Sequence, residues 1–338
     1  MRVMFLIIDA FDPTRLSPRL TPNLWRWANT DGAAAGTGVS VMASCTYPNH
    51  ASFITGVGPE HHRIHTNHVI RDGDVRGAWE VGPGLPTLFD RLSHVETAAV
   101  LGDHHLVGVM GATGAARHWP PDGDVRVVEH LDLLGYPDDA AVLPRLLAEI
   151  ESGAEFVLGY FGSIDTFSHV YGPGSKEATD AYRRIDQRIG EVDDMLRLRW
   201  EEWVLVVVSD HVQDTVDGPG IDLRAHLDGD SIVVDEGSAA LVAGLLNPQI
   251  LSDIDGVEGW TLLTDGNVLA WCEIGRYFGP YESPILRGAH GGAHTREQFA
   301  LVSGGHLGRR ALASAVAAGP VPATYWAGGV AGAFGVRF

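Results

Sequence analysis

Four short runs of this chain are almost wholly apolar: residues 3–8, 97–101, 156–161 and 203–208. None shows the alternation of a half-exposed strand, so each reads as a strand buried on both faces. Between them the pattern changes to a helical period. Residues 176–199 carry the stripe Ala178, Ala181, Tyr182, Ile185, Ile189, Val192, Leu196, and residues 138–150 place Leu143, Leu146, Leu147 and Ile150 on one face. Thr21-Pro22 opens a helix bearing Leu24 and Trp27, with Thr21 as the expected N-cap. A further strand is expected at 38–42, a short helix at 49–55 begun by Pro48 and stopped by Gly56, and a last helix at 309–318. Strands alternating with helices predict an α/β fold, with a mostly parallel central sheet covered by helices on both faces.

Two stretches break the alternation. Residues 57–85 are rich in Gly, His and Pro and read as a loop excursion. Residues 217–285 hold short strand-like runs at 231–234, 239–246, 261–263 and 268–274, the pattern of a small inserted cap subdomain. The expected organisation is therefore a catalytic α/β core made of 1–216 and 286–338, with the insert 217–285 packed beside its site. A length of 338 residues accommodates one large domain carrying such an insert.

The ends of the apolar runs carry the chemistry. Asp9 follows the first, Asp165 and His169 follow the fourth-residue loop after 156–161, and Asp210-His211 follows 203–208. Thr46 precedes the 49–55 helix and His290 lies beyond the insert. Ligands of open α/β sheets gather beyond the carboxyl ends of the strands, where the three Asp positions fall. Asp165 and His169, four apart, share a face if they lie on a helix. Asp210 and His211 are adjacent and meet one site only if the backbone turns there. The set supplies three carboxylates, three imidazoles and a hydroxyl, enough for two metal ions and a nucleophile. Thr46 is the candidate nucleophile: a helix start after it would favour a phosphoryl group, and a bound metal would activate its hydroxyl. Taken alone, Thr46 would read as a helix cap.

Charge narrows the partners. The formal net charge is −19 and Lys176 is the only lysine, which argues against nucleic-acid polymers and anionic membranes. A small anionic phosphate ester, including a nucleotide, would depend on bound metal for positive charge. Cys45 and Cys272 form no disulfide framework. The apolar N-terminal stretch is too short to span a membrane and runs directly into Asp9, so a cytoplasmic location is expected. The sequence carries no reading of oligomeric state.

Taken together, Ile-Ile-Asp9-Ala-Phe, Thr46-Tyr-Pro-Asn-His-Ala-Ser-Phe-Ile-Thr-Gly, Asp165-x-x-x-His169, Ser-Asp210-His211 and Gly-Ala-His290-Gly-Gly resemble the alkaline phosphatase superfamily. Their order matches its nucleotide pyrophosphatase/phosphodiesterase branch from residue 3 to about 303. The resemblance implies a two-zinc site, with Asp165, His169 and His290 on one ion and Asp9, Thr46, Asp210 and His211 on the other. It also implies that Asn67 touches a phosphoryl oxygen, and that hydrolysis of phosphodiester or pyrophosphate bonds passes through a threonyl-phosphate. Mixed His/Asp ligation favours zinc, though manganese or iron would accept the same ligands.

Several readings stay open. His294 competes with His290 as the last ligand, and a His-Gly pair favours His290. A phosphonoacetate-type hydrolase would share the metal site but should need cationic side chains near the nucleophile; Lys176 is far downstream, and Arg63, Arg71 or Arg76 could substitute. A phosphomonoesterase should need an extra cation. A protein that binds metal and phosphate without catalysis is disfavoured because every motif position carries a competent residue. His61, His62, His65 and His68 read as surface or substrate-lip residues, and His104 and His105 as structural residues at a strand end.

Overall fold

The computed structural model of the chain describes residues 1–227, 229–281 and 286–338. Its centre is an eight-stranded sheet in the order Val321–Pro322, Ala34–Val39, Glu297–Ser303, Trp203–Val208, Arg2–Ile8, Phe156–Phe161, Thr97–Leu101, Arg117–Trp119. All pairings are parallel except those of Glu297–Ser303, which runs antiparallel to both neighbours. The four apolar runs are the four inner strands or their neighbours, and they are buried on both faces. Val3, Phe5 and Ile7 join one core while Met4, Leu6 and Ile8 join the other. The first core packs against helices Thr46–Thr55, Arg310–Ala318 and Tyr325–Ala333, the second against Pro22–Ala28, Asp139–Ser152 and Lys176–Arg197.

The stripe expected on the long helix is buried in full, and two aspartates on the same face are buried with it. Asp186 accepts the backbone N–H groups of Asn23 (3.0 Å) and Leu24 (2.9 Å). It therefore caps the Pro22–Ala28 helix. Thr21, the expected cap, makes no such bond and instead accepts from Ser17 N at 3.1 Å. Asp193 takes Trp27 Nε1 at 2.6 Å.

Three boundaries differ from expectation. The second strand is Ala34–Val39 rather than 38–42, because an edge-adjacent strand of Ala, Gly and Thr is shaped by its partners more than by its own apolarity. The next helix starts at Thr46 itself, and the 57–85 excursion folds into helix Pro59–His62, hairpin His68–Arg71/Asp74–Gly77 and helix Ala78–Val81.

The stretch expected as an insert holds an antiparallel sheet, Ile232–Glu236, Ala239–Ala243, Val268–Cys272, Val257–Leu262 in spatial order, with a hydrophobic cluster around Leu223, Val242, Leu251 and Phe278. The expected boundary at 285 falls outside the described residues. At its base Asp214–Thr215 pairs antiparallel with Gly288–Ala289. Among the described residues, no helix is long and apolar enough to cross a membrane.

Candidate active site

Strand register brings the site together. Ile8 pairs with Phe161 and Ile7 with Val208, so the chain leaves three adjacent strands at one edge, carrying Asp9, the Gly162-Ser163 turn and Ser209-Asp210-His211. Helix Ser163–Tyr171 starts at once after its strand, placing Asp165 and His169 on one face, with His169 Nε2 3.4 Å from Asp165 Oδ2. The chain turns after Val208, so Asp210 and His211 reach the same place. Asp210 Oδ1 accepts the N–H of His211 (3.1 Å) and of Ala10 (3.3 Å).

His211 Nε2 is the hub. It lies 3.2 Å from Thr46 Oγ1, 3.2 Å from Asp210 Oδ2 and 3.6 Å from Asp9 Oδ1. Its ring stacks on His290 with centroids 3.7 Å apart, and His290 Nε2 is 3.8 Å from Asp165 Oδ1. Two groups of metal-competent atoms result: Asp9, Asp210 and His211, and Asp165, His211 and His290. The structure thus gathers Asp9, Thr46, Asp165, His169, Asp210, His211 and His290 in one place. His294 is elsewhere, half-exposed and 3.2 Å from Glu258.

The surroundings aim these groups inward. His169 Nδ1 lies 2.8 Å from Gly288 O and His290 Nδ1 lies 3.1 Å from Ser44 O. With each Nδ1–H donating to a carbonyl, Nε2 is left as a lone-pair donor toward the centre. Ser44 also ties the loop before Thr46 to the loop after His290, its hydroxyl donating to Gly292 O at 2.7 Å. Asn67 Oδ1 accepts the Tyr47 N–H at 3.0 Å, which leaves its Nδ2 hydrogens free for the cavity it shares with Asp9, Thr46, Asp165, His169 and His290. This corrects one expectation. The helix start offers few free N–H donors, because Tyr47 N is occupied by Asn67 Oδ1 and Pro48 has none.

Burial sets the electrostatics. Asp9 is pushed well above the ordinary carboxylate range, first by burial and then by the charges of Asp210 and Asp165. Asp210 is pushed up to about 7 by burial. Burial, then His290 and His169, holds His211 well below the usual imidazole range, and burial pushes His290 down to about 4. Asp9 Oδ1 and Asp210 Oδ2 are buried without a hydrogen-bond partner. Neutral imidazoles beside unpaired carboxylate oxygens are a donor set that divalent cations satisfy.

Three supporting residues are not assigned to the ligand cluster from the sequence. Tyr160 donates its hydroxyl to Asp9 Oδ2. It carries the one polar group in the 156–161 run, which is the signal that could have exposed it. Gln213 donates to Asp165, both to its carboxylate and to its carbonyl (3.2 Å). His50 Nδ1 sits 2.8 Å from Thr46 O, and burial pushes this imidazole down to about 4. Among the lip histidines, His62 and His65 are buried instead, His62 against Ser52 Oγ at 3.0 Å. His62 is the last residue of the short helix Pro59–His62.

Comparison with known proteins places the chain in a family. The family model described as type I phosphodiesterase / nucleotide pyrophosphatase matches residues 3–255. The chain belongs to this family, a branch of the alkaline phosphatase superfamily. Ectonucleotide pyrophosphatase/phosphodiesterase 1 of Saccharomyces cerevisiae is 24% identical over 251 residues, 60% of this chain and 33% of that protein. Family member 7 of Mus musculus is 32% identical over 76 residues, 22% of this chain and 17% of that protein. The chain therefore spans a third or less of these relatives. In fold it is similar to murine ectonucleotide pyrophosphatase/phosphodiesterase 5, solved as an inactive form in complex with AMP, with a TM-score of 0.76 at 15% identity over 99% of this chain and 95% of that one. It is also similar to the phosphonoacetate hydrolase of Sinorhizobium meliloti 1021 in complex with phosphonoacetate, with a TM-score of 0.69 at 19% identity over 89% of each chain.

Proposed function

We propose that this protein hydrolyses phosphodiester or nucleotide pyrophosphate bonds by two displacements at Thr46, in a site that holds two divalent metal ions. The observation that carries this reading is Thr46 Oγ1 on the first turn of its helix, 3.2 Å from His211 Nε2 and beside the unpaired oxygens of Asp9 and Asp210. Asp9, Thr46, Asp210 and His211 would hold one ion, and Asp165, His169 and His290 the other. Such ions, zinc by the donor set, would neutralise phosphoryl charge and lower the pKa of the Thr46 hydroxyl and of water.

In the first displacement Thr46 Oγ1 releases its proton to solvent and forms a bond to phosphorus, the ester bond breaks, and the alcohol or nucleotide departs with a proton from solvent. In the second, water adds to phosphorus and loses a proton to solvent, the phosphorus–Oγ1 bond breaks, and Oγ1 takes up a proton, restoring the hydroxyl. Asn67 donates Nδ2–H to a non-bridging oxygen in both steps. Tyr160 and Gln213 hold the Asp9 and Asp165 carboxylates in place through their hydrogen bonds. The AMP bound by the murine relative supports a nucleotide as one substrate class.

The phosphonoacetate reading is weaker on the site's own chemistry. Lys176, the only lysine, is exposed on the long helix and paired with Asp180 at 2.6 Å. The deciding assay compares bis-p-nitrophenyl phosphate, p-nitrophenyl phosphate and phosphonoacetate with zinc-loaded protein, with Thr46→Ala as control. Diester preference that vanishes in the variant is the expected result. Preference for the monoester or the phosphonate would overturn the diesterase reading.

A further inference from the structure

The insert reaches the metal-ligand cluster through one hairpin turn. Gly237 and Ser238 join strands Ile232–Glu236 and Ala239–Ala243, and Ser238 N donates to His290 O at 2.9 Å. Gly237 sits at φ +68°, and a Cβ there would lie 2.9 Å from His290 O, so the turn is fitted closely to the ligand-bearing loop. Glu236, the residue just before the turn, has a side chain only 7% exposed. It crosses to the 57–85 excursion, where its Oε1 accepts the backbone N–H of His68 at 2.9 Å and lies 2.7 Å from His68 Nδ1.

The N–H of His68 belongs to the peptide that joins Asn67 to His68. The carbonyl of that same peptide accepts Ala78 N at 3.0 Å. The peptide is therefore pinned on both edges, by the excursion's own helix on one side and by the insert on the other. Asn67's side chain is fixed at a third point, through Oδ1 to Tyr47 N. Glu236, Asn67, His169 and His290 also line one cavity of about 630 Å³ between the insert and the core.

We infer that Glu236 is a positioning residue for Asn67, so that the insert fixes the amide that meets the phosphoryl group. This rests on the diesterase reading. The geometry gives the carboxylate two jobs that substitutions separate. Glu236→Gln keeps an oxygen to accept the His68 N–H, whereas Glu236→Ala removes the acceptor and leaves the buried N–H unpaired.

The test is a double-mutant cycle on kcat/KM for bis-p-nitrophenyl phosphate, using zinc-loaded full-length protein with metal content measured for every variant. Glu236→Ala should lower kcat/KM by roughly 10- to 100-fold, the scale of a small misplacement of a substrate-contacting group, and Glu236→Gln by less. Asn67→Ala should cause a comparable loss, and Glu236→Ala added to Asn67→Ala should cost less than about threefold more, because both act through one amide. Fold-losses that multiply in the double variant would overturn the inference. So would a Glu236→Ala protein within twofold of the parent, or one that has lost bound metal. A parent protein that binds two metal ions yet turns over no diester would instead sink the diesterase reading, a result the cycle does not resemble.

Discussion

Replacing Asp210, a proposed metal ligand, should stabilise the metal-free protein. Asp210 is fully buried, its Oδ1 accepts two backbone N–H groups, and its Oδ2 has no hydrogen-bond partner but lies 3.2 Å from His211 Nε2. In Asp210→Asn the amide oxygen can keep both N–H contacts and the amide nitrogen can donate to His211. What is lost is a buried charge. A folded-state pKa of about 7 against an ordinary 3.8 corresponds to a penalty of at most about 4 kcal/mol once both states are ionised. The sign follows from the direction of the shift. A carboxyl whose folded pKa is raised destabilises increasingly as pH climbs from about 4 to about 7, and by a constant amount above that. Metal-free Asp210→Asn should therefore exceed the metal-free parent by about 1 kcal/mol at pH 5 and by roughly 2–4 kcal/mol at pH 8. Urea denaturation of both proteins in chelator, at the two pH values, measures this. His290 titrates in the same window and cancels in the difference between proteins, whereas Asp9, raised in part by the Asp210 charge, is relieved in the variant and adds to the gap with the same sign. Saturating zinc should reverse the order, since the parent gains the binding free energy. A metal-free variant less stable than the parent at pH 8, or a gap that does not widen from pH 5, would refute the reasoning.

Thr46→Ala should reduce diester turnover at least about 10³-fold, some 4 kcal/mol of barrier, while metal content stays near that of the parent; Thr46→Ser should recover part of the rate, as steady-state kinetics will show. Gln213→Leu, which frees the Asp165 carboxylate, should weaken metal binding by about 10- to 100-fold, the usual effect of losing a ligand's hydrogen-bond partner; competition with a chromogenic chelator measures it. His290→Ala should lose metal in the same titration, and His294→Ala should match the parent. Asp186→Ala should cost about 2 kcal/mol in thermal denaturation, through the lost cap and the orphaned Asn23 and Leu24 amides, without altering turnover per folded molecule.

The inner strands were legible because burial on both faces leaves no position free to be polar, so 156–161 and 203–208 show in sequence at their observed limits. Ala34–Val39 was misplaced for the opposite reason, since its Ala, Gly and Thr carry little signal until Glu297–Ser303 pairs with it. The proposed ligand positions could be found because most follow a strand or lie in the first turn of a helix, and His169 shares a helix face with Asp165 four residues before it. Tyr160, Gln213 and Ser44 act through contacts that exist only after distant segments meet, such as Ser44 O with His290. Thr21 shows the same limit: its local cap signature was sound, but Asp186, more than 160 residues later, holds the amides it would have taken.

The short ladder of Asp214–Thr215 with Gly288–Ala289 begins four residues after Asp210 on one side and ends immediately before His290 on the other. It works as the seam at which the chain leaves the ligand-bearing end of the sheet and returns to it. The proposed ligands lie outside it, and within the segment it encloses the Glu236–Ser238 turn is held to the core through His68 and His290. Grafts that exchange segments between such proteins should therefore cut inside this ladder. A cut beyond it would move Asp210, His211 and His290 along with the cargo.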